Sequence, residues 1–211
     1  MRHIHPLEPI GVIVLIVVFW YIRKKKAEAA GSVGGAKGGP GTRAAVTQKA
    51  KVEDPPEVVY MSLRRKAIEI DPQTLGLPGE LKEDEPYGLL MELGIPNSVV
   101  TLACFADGDA RVYYKTGGGM VGGVAHESIR KASKDLVALA QRVLPRMTKT
   151  NTHPLPDQDR VRFYALTPRG TFTTETDRRN LANPQNELAS LFASGQEVVA
   201  QMRQVQEERA H

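Results

Sequence analysis

The sequence predicts an α+β domain: an antiparallel sheet of about five strands with helices packed on it, in the order α-βββ-α-ββ-α. A transmembrane helix and a flexible linker precede it. Three observations carry that expectation. Strand-like runs follow one another with only turn residues between them, as in residues 98–105, Asp107-Gly108-Asp109 and residues 110–116, so the strands pair as hairpins. Two long stretches instead repeat apolar residues at helical spacing. A charge-free apolar run near the N-terminus is set apart from both by glycine-rich sequence, and hairpins joined through helices give layered α+β architecture.

The elements follow in order. Residues 9–22 read PIGVIVLIVVFWYI, fourteen positions without a charge, about 21 Å as a helix. That is short of a bilayer's hydrocarbon core of about 30 Å, a gap that snorkelling of Arg23 and Lys24 closes. Trp20 and Tyr21 stand where aromatic rings favour the headgroups, and Arg23, Lys24, Lys25 and Lys26 follow. A cleaved secretory signal carries its positive charges before the apolar run, whereas here only Arg2 precedes it. The expectation is therefore an uncleaved single-pass anchor, residues 1–26, in the inner (plasma) membrane, with the N-terminus outside and the remainder cytoplasmic. Residues 27–55 include GSVGGAKGGPG and show no hydrophobic periodicity, so they read as a basic, flexible linker with a reach of about 30 Å.

The folded domain spans residues 56–211. In residues 58–69, Val58, Met61, Ala67 and Ile68 fall loosely on one side, which predicts a helix ended by Asp71-Pro72. Strands are expected over residues 87–93, 98–105 and 110–116, the first two parted by Pro96-Asn97. Val99, Val100, Leu102 and Cys104 make the second of these a central strand. Then come Gly117, Gly118, Gly119, Gly122 and Gly123, and a helix from about His126 carrying Ile129, Ala132, Leu136, Ala140, Val143 and Leu144 to a stop at Pro145. Residues 160–167 and 171–176 form a second hairpin about Pro168-Arg169-Gly170. Asn183-Pro184 offers a helix start, and Leu188, Leu191, Phe192, Val199, Met202 and Val205 carry the last helix.

This order of elements is similar to the roadblock, longin and profilin-like group of small sensory and scaffold folds. The stretch YGLLMELGIPNSVVTLACFADGDARVYYKTGGGMVGGVAHESIRKA, residues 87–132, also resembles a class of small bacterial domains without assigned activity. The resemblance implies a recurrent domain with a fixed glycine loop, and it carries no catalytic residue across.

Charge excludes one class of function. Residues 1–51 hold nine basic and two acidic side chains, a balance of +7, so residues 52–211 carry −3 of the chain's net +4. The basic excess belongs to the anchor and linker, where it sets topology and can rest on anionic lipid; no nucleic-acid partner is expected. One cysteine excludes an internal disulfide framework and fits a reducing compartment.

The glycine loop lies between a strand and a helix, where exposed amides and a helix N-terminus can hold an anion. His126, Ser128 and Arg130 in the first helical turn are the side chains placed to help. The spacing from Gly117 to Gly122 satisfies G-x-G-x-x-G, but the preceding strands are antiparallel and no Lys follows as in a P-loop. A structural role in turning the chain competes with binding at these residues. His126-Glu127 lacks the second histidine of HExxH because residue 130 is Arg, so no metal is expected there. His3 and His5 precede the anchor, His153 reads as an exposed loop histidine, and Cys104 as a small core residue. No catalytic residue and no cofactor is assigned. The function expected is a membrane-tethered interaction or sensory scaffold, with a protein partner or self-association; the alternative is an anion- or nucleotide-binding enzyme built on the glycine loop.

Overall fold

β1 (Gly88–Ile95) carries apolar residues at both parities, and seven of its eight positions are buried. A strand covered on both faces belongs in the middle of a sandwich. In the computed structural model, which describes residues 54–77 and 79–208, β1 is the fourth strand of a seven-stranded sheet ordered β4-β3-β2-β1-β6-β7-β5. The anchor, its Trp20-to-Lys26 flank, His3, His5 and the linker up to residue 53 lie outside the described residues. The other strands are β2 (Ser98–Phe105), β3 (Ala110–Tyr114), β4 (Gly119–Val121), β5 (Thr148–Thr150), β6 (Arg160–Thr167) and β7 (Gly170–Asp177). Every neighbouring pair is antiparallel.

Alternation along the strands sorts side chains to two faces. Leu90, Ala103, Phe105, Tyr113, Tyr164 and Leu166 pack with Tyr60, Ala67 and Ile68 of α1 (Pro56–Ile68), and with Leu75 and Leu77 of the segment that follows. The opposite parity meets α2 (Glu127–Val143) and α3 (Glu187–Glu208). Gly195 of α3 sits against Met91 and Leu102, and the Ser133 hydroxyl of α2 donates to the Asp109 carbonyl at 2.9 Å. Leu90, Phe105 and Phe163 are wholly buried, each contributing about 1.5–3 kcal/mol through burial. Towards β7 the α1 face becomes polar, where Glu175 bridges Arg160 and Arg162 and Thr171 and Thr173 share its parity on β7.

The α+β class and its antiparallel sheet stand as expected, with seven strands in place of about five. The two additional strands are three residues each, too short for a period to register, and one of them lies in the glycine-rich stretch. α1 buries only half of the expected residues, Ala67 and Ile68. Tyr60, Arg64, Ala67 and Ile68 point inward, whereas Val58 and Met61 are exposed. The reason is electrostatic: Arg64 meets a buried carboxylate, so a guanidinium takes a position that hydrophobicity would reserve for an apolar residue. The last helix begins three residues later than Pro184, because the Asn186 side chain, accepting from the Leu188 N–H at 3.0 Å, supplies the cap.

Candidate functional site

The glycine segment is a hairpin that closes the β3 edge of the sheet. The Tyr114 carbonyl accepts from the Gly117 N–H at 2.8 Å, and the Tyr114 N–H donates to the Gly118 carbonyl at 3.2 Å. Gly117 has φ +99°, the left-handed bulge position that glycine fills without strain. Gly119 opens β4 so close to β3 that a Cβ there would stand 2.3 Å from the Val112 carbonyl oxygen. Gly122 then leads into a short 3₁₀ turn, Gly123–Ala125, and His126 is the extended residue before α2. The His126 carbonyl accepts from the Arg130 N–H at 2.9 Å. Ser128 is exposed, and the Arg130 stem lies over Gly108 while its guanidinium reaches the Val124 carbonyl at 3.4 Å.

Only some of these residues share a cavity. Gly119, Gly122 and His126 join Met120, Val121, Ile129 and three residues of α3, Met202, Val205 and Gln206, around about 210 Å³. Gly117, Gly118, Ser128 and Arg130 are not part of its lining, and among the described residues no lysine or arginine is. The Gln206 Oε1 is buried without a hydrogen-bond partner. The α3 side of this cavity was invisible in the sequence, since it arises where Ile129 of α2 and Met202 of α3, 73 positions apart, flank one short strand; Met202 and Val205 appeared there only as core positions.

A second polar cluster was missed altogether. Arg64, 3% exposed, grips the wholly buried Glu92 through two bonds, Nε to Oε1 at 2.6 Å and Nη2 to Oε2 at 2.8 Å. Its Nη1 donates to the His153 carbonyl at 2.9 Å, and Thr101 Oγ1 donates to Glu92 Oε1 at 3.1 Å. Tyr60 and Thr101 share a hydroxyl bond of 2.8 Å, and the Tyr164 hydroxyl donates to the Pro154 carbonyl at 2.6 Å. Burial pulls the Arg64 pKa down, but the bonds and charge of Glu92 outweigh it and raise it overall. Burial, then the Glu92 charge, pushes the Tyr60 hydroxyl well above the usual phenol range. With every charged group paired, this cluster is built to fix α1 and the loop before β6 onto the sheet. The available signal was the one acid inside the apolar run GLLMELGI.

His153 departs from its reading as an exposed loop histidine. Its ring stands edge-on to Tyr164 at 5.5 Å, its Nε2 is buried without a partner, and burial, then the neighbouring Arg64 charge, lowers its pKa. Cys104 is wholly buried and its thiol is pushed up to about 12 by burial, an environment that keeps it protonated and unreactive. Among the described residues no group of three or more His, Cys, Asp or Glu side chains could hold a metal ion, and no helix is long and apolar enough to cross a membrane.

The outward side of α1 is the other unusual surface. Val58, Val59, Met61 and Leu63 are 52, 43, 41 and 37% exposed, beside Arg65 and Lys66. Val121 of β4, 70% exposed, points to the same face of the sheet as α1, since its neighbour Met120 is buried on the other.

Comparison with known protein families, curated proteins and solved structures finds no match to this chain.

Proposed function

We propose that the chain is a single-pass inner-membrane protein whose cytoplasmic domain is an interaction scaffold, docking through α1. One observation supports this above the others: α1 turns an arginine inward and four large apolar side chains outward. Isolated exposed apolar residues are ordinary, but four within six positions of one 13-residue helix form a patch of the kind that partners cover. The partner that suits it is a second copy. Glu57 lies in the first turn and Arg65 and Lys66 in the last, so an antiparallel pair of α1 helices sets opposite charges against each other. About Met61, that pairing also places Val59 opposite Leu63. The tether supports the same reading, because confinement to a membrane raises the effective concentration of neighbours.

The test is thiol cross-linking of the full chain in its own membranes. Cys104 is buried and silent, so a single Met61→Cys substitution reports on α1 alone. A covalent dimer is expected for Met61→Cys and none for Lys134→Cys, an exposed position on α2. Adducts to a different protein at position 61 would keep the interaction reading and replace the second copy as partner. No adduct at position 61 would overturn it.

A further inference from the structure

We propose that the cavity between β4, the start of α2 and the C-terminal half of α3 binds a small, neutral aromatic molecule that carries one hydrogen-bond donor. This inference does not depend on the α1 surface: the cavity opens beside Met120, on the face of the sheet that α2 and α3 cover, and shares with that surface only Val121 at the sheet edge.

Four features of the walls specify the ligand. Size comes first: the cavity holds about 210 Å³ and is open to solvent on one side, room for a ring with a small addition. The apolar wall is the second. Met120 and Met202 present thioethers, which favour contact with aromatic rings, and Ile129 and Val205 complete the surface. The third is Gln206. Its Oε1 is buried and unpaired, a carbonyl oxygen accepts and cannot donate, and a buried polar group without a partner is the exception in folded proteins. A ligand N–H or O–H supplies the missing bond once the Gln206 side chain turns this oxygen toward the cavity. Finally, no lysine or arginine lines the cavity among the described residues, so a phosphate or carboxylate would meet no ammonium or guanidinium there, only the His126 imidazole and backbone amides. That last feature separates this ligand from the anion for which the glycine loop was first considered.

The wall is also well founded. Met202, Val205 and Gln206 occupy positions i, i+3 and i+4 of α3 and so share one side of the helix, and Met120 is held by the pairing of Val112 with it in the sheet. A methionine-lined site of this kind adapts to ring shape more readily than a leucine-lined one, which favours a class of ligands over one compound.

Methyl NMR on the full chain in lipid nanodiscs tests the proposal, since the chain has only six methionines. The probes are indole, 1-methylindole, which lacks the donor, and inorganic phosphate. Indole is expected to move the ε-methyl signals of Met120 and Met202 in a saturable way and to leave Met61 and Met147 unmoved. Val205→Trp, which fills the cavity, abolishes the response. Gln206→Leu weakens indole binding roughly five- to tenfold, the size of one hydrogen bond, and leaves 1-methylindole binding unchanged. No indole response, or one spread equally over Met61 and Met147, overturns the site. Equal indole affinity in Gln206→Leu overturns the donor assignment, and a phosphate response at Met120 and Met202 in place of indole overturns the ligand class.

Discussion

Arg64 and Glu92 show how one residue decides the orientation of a helix. A guanidinium at 3% exposure is tolerable only because both its forks are engaged, two on Glu92 and one on the His153 carbonyl. Removing one partner leaves the other charge stranded where water cannot reach it. Glu92→Leu alone is therefore expected to cost about 3–5 kcal/mol, a large share of the roughly 5–15 kcal/mol that hold a domain together. The double replacement, Arg64→Met with Glu92→Leu, strands no charge and should recover most of that loss. Thermal melts of the two single variants and the double close the cycle; a double variant as unstable as the sum of the singles would mean the pair is not acting as a unit. The cluster also marks the limit of what periodicity can show. Arg64 scores as a surface residue on any hydrophobic scale, and only the coincidence with a lone acid in β1, 28 positions away in the chain, makes it a core residue. Cys104 needed no such coincidence, because apolar neighbours on a β-prone run already implied burial.

Among the elements, those with a full period were legible and those without one were not. β2 and β6 lie where β-prone runs bounded by turn residues put them, and α2 carries its buried stripe at Ile129, Leu136, Ala140 and Val143 as its spacing required. β4 and β5 span three residues each, so their existence depends on a neighbour's free edge and not on their own composition. The candidate site inherits that limit. Gly119, Gly122 and His126 were singled out as a loop, yet the wall that makes a cavity of them comes from α3. Gly119 is the test of whether β4 is a necessary element. A Cβ there collides with the Val112 backbone, which cannot swing aside as a side chain would. Gly119→Ala is expected to cost about 1–3 kcal/mol and to release β4 from β3. In hydrogen exchange this appears as lost protection at Met120 and its partner Val112, with β1 and β6 unchanged. Retained protection at Met120 would show that the strand accommodates a methyl group and that the glycine is not required by packing.

At the scale of the molecule, the charge distribution and the tether make one argument. The proposed anchor would set the +7 of residues 1–51 beside lipid headgroups and leave the −3 of the remainder in solution. Two attachments fit that division and behave oppositely in salt. Adsorption of a basic segment to anionic lipid is electrostatic and collapses when the screening length falls to about 3 Å at 1 M salt. Insertion of the apolar run at residues 9–22 is hydrophobic and strengthens slightly under the same conditions. The full chain is expected to stay with the membrane fraction through a 1 M salt wash and an alkaline wash, and to leave it only in detergent. A chain beginning at Val52 should be found in the supernatant throughout. Release of the full chain by salt alone would reduce the N-terminal segment to a peripheral contact and remove the single-pass topology. The α1 surface would then lose, in high salt, the two-dimensional confinement that favours its pairing, and dimer formation in the Met61→Cys chain should fall as salt is raised. An anchored chain predicts instead a fall on dilution of the membrane with lipid and no effect of salt, so salt and lipid together separate the attachment from the association it promotes.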